Sequence, residues 1–279
     1  MNTQEFIIAA LAEDIGSGDH STLASIDAKV VGTAKLIVKE ACIIAGIRIA
    51  KEVFLHLDKE AVFTAYHTDG EYLEVGTIAF TVKAKAQAIL QAERLVLNTM
   101  QRMSGIATLT HSYVEKIKNY STTILDTRKT TPLFRAFEKE AVLLGGAKNH
   151  RMGLYDMIML KDNHIDYCGG IEKAIAAANN YLKEQQLQLP IEVETRSLDD
   201  VKRVVKVGGV QRIMLDNFTP KEIKACIKRI PSHFEVEASG GITESNIVEY
   251  AESGVHFISL GSLTHHIKSL DISLKASIR

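Results

Sequence analysis

Basic residues cluster in the middle of the sequence, directly after segments that read as β-strands. Arg128 and Lys129 follow one such segment, Lys161 closes the next, and Asn149-His150-Arg151 lie between them in a loop that contains glycine. The guanidinium of arginine donates through a rigid planar fork that matches carboxylates and phosphates. The spacing predicts a site for an anion of more than one charge, with solvated surface charge as the alternative. Lys139 and Lys148 are predicted to be solvated surface residues.

Acidic residues mark the two strand segments that come next. In Ile191-Glu192-Val193-Glu194 the two-residue repeat of a strand puts both glutamates on one face, and Asp216 ends the following segment. A bare carboxylate is costly inside a barrel or under its helices, so these groups need a compensating charge. Carboxylate oxygens suit Mg²⁺ that also binds phosphate. The pattern predicts either Mg²⁺ at Glu194 and Asp216, bound directly or through water, or a salt bridge from Glu194 to a nearby Lys or Arg.

Two glycine-containing loops follow the last two strand segments. Ser239-Gly240-Gly241-Ile242-Thr243 comes after one strand and Leu260-Gly261-Ser262 after the next. Glycine lets backbone N–H groups approach a phosphate, hydroxyls add donors, and a helix predicted to begin near Thr243 adds its positive N-terminal end. Because loops after the final strands of α/β barrels commonly bind phosphate, we expect a phosphate site here.

The elements that must position these side chains alternate between strand and helix. Six apolar strand segments are separated by helical ones and end in charged, hydroxyl or glycine residues, which is the arrangement of a barrel with its site at the C-terminal ends of the strands. The predicted strands are Thr122–Asp126, Met157–Leu160, Ile191–Glu194, Arg212–Leu215, Phe234–Ala238 and Phe257–Leu260. The predicted helices are Ile171–Leu187, Leu198–Lys206, Pro220–Arg229 and Glu244–Ser253. Six strands predict an incomplete barrel.

The first third of the chain has a different pattern. We predict a helix over Thr3–Ala12 capped by Asn2 or Thr3, and a long helix over Ala84–Met103 that ends near Gly105. Between them lie three β-like runs, Val30–Val38, Ala61–Tyr66 and Ile78–Val82. This region is therefore expected to form a mixed α/β domain of its own.

Composition narrows the class of protein. The formal net charge of −1 gives no sign of nucleic-acid binding. The three cysteines, Cys42, Cys168 and Cys226, form no CxxC pair, so neither a disulfide framework nor a thiolate zinc site is indicated. The apolar run Phe6–Ala12 is short and flanked by acids, which argues against a signal peptide, and no segment reaches the length of a membrane span. We expect a cytoplasmic protein with no nucleic-acid or membrane partner.

Several motifs, taken together and in order, resemble the quinolinate phosphoribosyltransferase family. The resemblance runs from residue 13 to about residue 266. Its most specific segments are Asp126-Thr127-Arg128-Lys129-Thr130-Thr131-Pro132 and Lys161-Asp162-Asn163-His164. The others are Glu13–Asp19, the helical stretch Glu93–Thr108, Asn149-His150-Arg151, Leu215-Asp216-Asn217 and Glu237–Thr243.

The resemblance implies a fold, a reaction and an assembly. The fold is an incomplete, six- or seven-stranded α/β barrel (109–265) with an N-terminal mixed α/β domain (1–108), to which the segment 266–279 could be added. The reaction joins quinolinate to phosphoribosyl pyrophosphate (PRPP), releasing CO2 and pyrophosphate to form nicotinate mononucleotide, with Mg²⁺ as cofactor. The assembly is a homodimer whose sites are shared between the subunits.

The resemblance also implies roles for individual residues. Lys129, Lys161, Glu194 and Asp216 would be catalytic, and Arg102 would enter the partner's site. Quinolinate and PRPP would be held by Thr127, Arg128, Lys129, His150, Arg151 and Lys161, the ribose hydroxyls and Mg²⁺ by Glu194 and Asp216, and the 5′-phosphate by Ser239, Gly240, Gly241, Leu260, Gly261 and Ser262.

Two loop positions depart from the family pattern. Leu133 stands where glycine often follows Thr-Thr-Pro, and Ala147 replaces the third of three glycines before Asn149-His150-Arg151.

Two alternative functions fit the sequence less well. A related transferase that uses nicotinate would need fewer basic residues. A non-catalytic metabolite-binding protein would not need Glu194, Asp216 and all three basic segments.

Overall fold

The computed structural model describes residues 2–278 and divides them into two compact units, each assembled from separate stretches of the chain. The first unit contains residues 2–111, 130–146 and 263–278, and the second contains residues 112–129 and 147–262. Residues 130–146, which the sequence analysis assigned to the barrel domain, thus group with the first unit.

The first unit is built on an antiparallel four-stranded sheet with the order β12-β1-β5-β3. Its central strand β1 (Val31–Val38) alternates exposed and buried residues, and Ala34, Leu36 and Val38 face the core. That alternation is the pattern of a sheet with one buried face. The other strands are β3 (Val62–Ala65), β5 (Ile78–Lys85) and β12 (Ile272–Ile278), and a two-stranded sheet pairs β2 (Cys42–Ile43) with β4 (Tyr72–Leu73).

Helices complete the first unit. Helix α1 begins at the predicted cap, where Asn2 accepts from the Glu5 amide and Glu5 accepts from the Asn2 amide in a capping box. The predicted α1 and the three predicted strands of this region are confirmed, whereas β2, β4, β12 and the helices α2, α3, α5 and α11 were not predicted. The helices are α1 (Thr3–Ile15), α2 (His20–Ser25), α3 (Ile47–Leu57), residues 86–111 of α4 (Ala86–Ile117), α5 (Arg135–Leu144) and α11 (Ser262–His265), whose first residue belongs to the second unit.

Helix α4 corrects one prediction, because it does not end near Gly105. It continues to Ile117, so Gly105 lies inside it. A Cβ atom at position 105 would collide with the backbone carbonyl oxygen of Lys268. The glycine therefore serves close approach of another backbone segment rather than helix termination.

The second unit contains six parallel strands in the order β6-β11-β10-β9-β8-β7. From β7 to β11, strands that follow one another in the chain are neighbours, and the first strand, β6, pairs with the last, β11, which is the order of an α/β barrel. A bridge from Leu125 to Lys148 extends the edge at β6, and β6 and β7 are not paired to each other. The strands are β6 (Thr123–Leu125), β7 (Ile158–Leu160), β8 (Ile191–Thr195), β9 (Arg212–Asp216), β10 (Glu235–Ser239) and β11 (Phe257–Ser259).

This arrangement confirms the predicted incomplete barrel, with each strand within two residues of its predicted bounds. The predicted helices are also present, each crossing between successive parallel strands, and α6 was not predicted. The helices are α6 (Asp162–Cys168), α7 (Ile171–Glu184), α8 (Leu198–Val207), α9 (Pro220–Ile227) and α10 (Ile247–Ala251). None of the helices within residues 2–278 combines the length and the apolar character needed to cross a membrane.

Candidate active site

The C-terminal ends of the six parallel strands bring most of the predicted site residues to one edge of the barrel. Because parallel strands all point the same way, the residues that follow them are neighbours around that edge. The residues placed there are Thr127, Arg128 and Lys129 after β6, Lys161 after β7, Glu194 near the end of β8, Asp216 at the end of β9, Ser239, Gly240 and Gly241 at and after β10, and Leu260, Gly261 and Ser262 after β11.

Two arginines lie near each other at this edge. Burial, and after it the nearby positive charge of Arg128, lowers the pKa of Arg151. The Arg128 Nε atom is buried and has no hydrogen-bond partner among the described residues, while Arg151 Nη1 donates to the Met157 carbonyl at 3.1 Å. Two neighbouring guanidiniums with a free buried donor suit an anion of more than one charge.

The acidic side of the site is formed by Glu194 and Asp216 on adjacent strands. Burial and the nearby charge of Asp216 raise the pKa of Glu194, and Lys161 opposes this shift from 3.9 Å. Half of the Lys161 side chain is exposed. The long separation makes the Lys161–Glu194 pair loose, so both alternatives of the sequence analysis keep support: Glu194 has a lysine neighbour, and two adjacent carboxylates still lack full compensation.

The loop after β10 has the backbone conformation that only glycine adopts easily. Gly240 and Gly241 have φ values of 89° and 66°. The predicted helix start near Thr243 is wrong: α10 begins at Ile247, because Asn246 accepts from the Thr243 amide and donates to the Gly241 carbonyl, which folds residues 241–246 into a turn. After β11, the Ser262 hydroxyl oxygen is buried without a hydrogen-bond partner among the described residues.

His150 lies deeper, in an ionic cluster inside the barrel that the sequence analysis did not foresee. Its Nε2 atom is 2.9 Å from Glu192 and 3.3 Å from Glu237, both fully buried, and Arg212 contacts Glu237 at 3.1 Å. Burial lowers the pKa of His150, but hydrogen bonds and charges of the two glutamates outweigh it and raise this pKa to about 9. Burial and Glu237 raise the pKa of Glu192 to about 7.

The geometry of this cluster favours an ion network over a metal site, although its ligand atoms lie within 4.8 Å of one another. The raised pKa of His150 keeps a proton on Nε2, which faces Glu192 at 2.9 Å, so this atom acts as a hydrogen-bond donor rather than as a metal ligand. Arg212 already compensates Glu237. The sequence signal for the cluster was the period-two pair Glu192 and Glu194, since the inward position of a barrel strand holds no uncompensated charge.

Arg102 lies in the first unit and is held by its own chain. Its guanidinium is 2.6 Å from the fully buried Glu138 on α5, and it donates to Thr131 Oγ1 at 3.0 Å and to the Thr264 carbonyl at 2.9 Å. Glu138 also accepts from the Thr131 amide at 3.0 Å. Arg102 remains 29% exposed and lines a cleft of about 450 Å³ between α1, α4 and residues 131–134.

Of the two lysines assigned to the surface, one assignment is wrong. Lys148 is exposed as expected, but Lys139 is completely buried on α5. Its neighbours along the helix include buried Phe137, Ala141 and Val142, so α5 packs on most of its circumference. A single lysine among mixed charges carries no sequence signal for such burial.

Comparisons with known proteins agree along nearly the whole chain. A family model described as the N-terminal domain of quinolinate phosphoribosyl transferase matches residues 19–104, and one described as its C-terminal domain matches residues 106–275. The chloroplastic nicotinate-nucleotide pyrophosphorylase (carboxylating) of Arabidopsis thaliana is 43% identical over 95% of this chain and 80% of that protein. The mitochondrial quinolinate phosphoribosyltransferase (decarboxylating) 2 of Nicotiana glauca is 41% identical over 98% of this chain and 81% of that protein.

A solved structure is similar over the same extent. NadC from Streptococcus pyogenes superposes with a TM-score of 0.93 at 38% identity, covering 99% of this chain and 96% of the other.

Proposed function

We propose that this chain, which belongs to the quinolinate phosphoribosyltransferase family, transfers the phosphoribosyl group of PRPP to the ring nitrogen of quinolinate. Pyrophosphate and CO2 are released and nicotinate mononucleotide is formed. The observation that carries the assignment of the acceptor is the pair of neighbouring guanidiniums of Arg128 and Arg151 at the barrel edge. Quinolinate has two adjacent carboxylates, and each needs a cationic partner.

The basic residues divide between the two substrates. Arg128 and Arg151 hold the quinolinate carboxylates, with Thr127, Lys129 and Lys161 at the same edge. His150 faces the buried glutamates rather than the open edge, so its part in binding is carried by its neighbour Arg151, whose amide nitrogen lies 2.7 Å from His150 Nδ1. Lys129 and Lys161 are exposed enough to reach PRPP phosphates that arrive from solvent.

The opposite side of the edge holds the ribose and its phosphate. Ser239, Gly240 and Gly241 with Leu260, Gly261 and Ser262 form the 5′-phosphate site, and the free buried hydroxyl of Ser262 supplies one donor. Glu194 and Asp216 accept from the ribose hydroxyls. The same two carboxylates fit Mg²⁺, because they are adjacent, oxygen-only and incompletely compensated. Bound Mg²⁺ would stabilise negative charge on the pyrophosphate leaving group.

The reaction needs no protein nucleophile. As the bond from the anomeric carbon to pyrophosphate breaks, positive charge develops on the ribosyl group, and the ring nitrogen of quinolinate attacks it. The adjacent carboxylate then departs as CO2, and the electron pair of the broken bond stays on the ring carbon, where the positive charge of the neighbouring pyridinium nitrogen stabilises it until that carbon takes up a proton from water. The protein therefore contributes positioning and electrostatic stabilisation of the separated charges.

Assembly and location are part of the same proposal. Arg102 belongs to the first unit and is partly exposed in the cleft beside Thr131, so we place it in the active site of a second copy within a homodimer. Arg102 is pre-oriented for that role by Glu138. The three cysteines are unpaired thiols, which suits a reducing cytoplasm.

The direct test is an assay of the purified chain. Incubation with quinolinate, PRPP and Mg²⁺ should yield nicotinate mononucleotide and CO2 in equal amounts, and omission of any one component should abolish or strongly reduce the yield. Absence of product from a folded chain, or equal product with nicotinate in place of quinolinate, would contradict the proposal.

Inhibition distinguishes the quinolinate enzyme from a nicotinate-type relative. Phthalate keeps both adjacent carboxylates but lacks the ring nitrogen, so it should compete with quinolinate without being ribosylated. Nicotinate has one carboxylate and should inhibit at least about tenfold more weakly, the cost of one missing charged hydrogen-bonding partner. Steady-state inhibition constants measured against quinolinate give the comparison, and equal constants would favour the nicotinate-type activity.

A further inference from the structure

Asn217 follows β9 directly and has an unusual backbone conformation. Its φ is 58°, in the left-handed region, where only two other non-glycine residues of the described chain lie, Leu133 and Gln186. Asparagine tolerates this region better than most residues, but the conformation persists only where the surroundings hold it. The side chain is exposed, so burial does not account for the residue at this position.

Three contacts hold Asn217 in place, and all of them involve residues assigned above to PRPP. Its Nδ2 atom donates to Asp216 Oδ2 at 2.8 Å. Its backbone N–H donates to the Ser239 carbonyl at 2.7 Å, across from β9 to β10. A Cβ at Gly240 would collide with the Asn217 amide, so the loop after β10 rests directly on this side chain.

From these contacts we propose that Asn217 is a positioning residue that fixes the Asp216 carboxylate and the Ser239–Gly241 loop relative to each other, and so matches them to the two ends of one ribose 5-phosphate unit. The ribose hydroxyls and the 5′-phosphate belong to the same molecule, so their two sites must stand at a set distance. One side chain that touches both sites keeps that distance. This inference rests on the proposed function, which assigns both sites to PRPP.

The substitution Asn217→Gly separates the role of the side chain from that of the backbone. Glycine adopts φ near 58° without strain, so the loop path and the thermal midpoint should be retained, while no side chain remains to touch Asp216 and Gly240. The expected result is a kcat/KM for PRPP lower by about tenfold or more, the scale of a missing hydrogen bond to a charged group. Binding of phthalate to the free enzyme, measured by calorimetry, should change less than twofold because the basic residues are untouched.

Two further variants test the mechanism. Gln186→Gly is the matched control, since Gln186 is also an exposed non-glycine residue with φ of 55°, at the end of α7, and this change should leave kcat/KM for PRPP unchanged. Asn217→Asp removes the donor and sets a second carboxylate beside Asp216, so it should impair PRPP use more than Asn217→Gly does.

The outcomes separate this inference from the proposed function. If the wild-type chain is active and Asn217→Gly has the same kcat/KM for PRPP, the positioning role is overturned and the proposed function is not. The positioning role is also overturned if Asn217→Gly weakens PRPP use and phthalate binding equally. It is overturned as well if the loss of activity is accompanied by a matching fall in the thermal midpoint, because the variant would then be destabilised in general. A folded wild-type chain without activity would overturn the proposed function and this inference with it.

Discussion

Lys161 is the basic residue of the barrel edge best suited to a single-residue test. Half of its side chain is exposed, and its loose pairing with Glu194 contributes little to folding. Lys161→Ala should therefore remain folded and lower kcat/KM by at least about a hundredfold, the scale expected when one electrostatic interaction is removed from a closed site. The measurement is steady-state kinetics with both substrates varied. Lys183→Ala, an exposed change near the end of α7, is the control, and near-normal turnover in Lys161→Ala would contradict its assignment.

Glu194 should show opposite effects on stability and activity. Its pKa is raised, first by burial and then by Asp216, so the folded state binds the proton of this carboxyl more tightly than the unfolded state does. The stabilisation that this tighter binding gives is complete below the usual value of 4.5 and is lost as the pH rises through the raised pKa. Glu194→Gln, which stays neutral, should therefore have a higher thermal midpoint than wild type at pH 8 and a smaller advantage near pH 5.

The same variant should be a poorer enzyme, because Glu194 is assigned to the ribose hydroxyls and Mg²⁺. Thermal midpoints and kcat/KM measured on the same preparations give the two effects. Glu184→Gln, at the exposed end of α7, should change neither. A Glu194→Gln protein less stable than wild type at pH 8 would mean that the attraction of Lys161 outweighs burial and Asp216.

For single residues, the sequence predicted the positions of side chains at the ends of strands, but not the ionic cluster buried inside the barrel. Arg128, Lys161, Glu194 and Asp216 could be placed from the sequence because the end of an apolar run fixes where a parallel strand delivers its next side chain. The His150 cluster with Glu237 and Arg212 joins residues up to 87 positions apart (His150 to Glu237). Apart from Glu192, which the period-two pattern marks, no local pattern distinguishes its members from surface charges, because they compensate one another only after folding.

Helices and strands divide in the same way: some are set by the local sequence, and others by contacts with distant parts of the chain. Strands of three residues, such as β7 and β11, were recognisable because apolar runs alternate with amphipathic helices. The end of α4 was not, because glycine inside a helix and glycine after a helix look alike in sequence. What decides between them is the carbonyl of Lys268, from a segment 163 residues away.

Gly105 gives an element-scale prediction. Exchanging glycine for alanine inside a helix usually stabilises it by about 1 kcal/mol through backbone entropy. At position 105 the new methyl group would collide with the Lys268 carbonyl, which is backbone and cannot rotate away. Gly105→Ala should therefore lower the thermal midpoint, and an overpacking cost of about 1–3 kcal/mol is expected. Thermal or urea unfolding gives the value, and a stabilised variant would show that the two segments can separate without cost.

At the scale of the whole molecule, the main prediction is that each active site is shared between two subunits. If Arg102 acts in the partner's site, Arg102→Ala and Arg151→Ala should each be nearly inactive alone. In a mixed dimer one site then carries both substitutions and the other carries neither. Random exchange makes about half of the dimers mixed, so about a quarter of all sites should regain activity.

The mixing experiment needs proof of subunit exchange, which a mass tag on one variant provides. Recovery close to a quarter of wild-type activity per site supports the shared site. If no activity is recovered although exchange has been demonstrated, Arg102 acts in the active site of its own chain or does not act in the reaction at all. Mixing two samples of Arg151→Ala is the control and should recover nothing.

The two units show what the sequence reveals of the whole molecule. The change of pattern near residue 110 indicated two bodies, because a mixed antiparallel region and a strand–helix alternation bury their apolar faces differently. Residues 130–146 and 272–278 could not be assigned to the first unit in this way. The first of these stretches is bound to it by the Arg102–Glu138 pair, and the second by the pairing of β12 with β1, both of which join distant parts of the chain.

The pairing of β1 with β12 also sets an order of events during synthesis. Val38 lies opposite Ile272, so one edge of β1 stays unpaired until some of the last residues of this sequence have left the ribosome. By then residues 112–262, which include all six parallel strands, have already been made. The unit that is translated first is thus completed last, and its open strand edge is exposed to other nascent chains throughout.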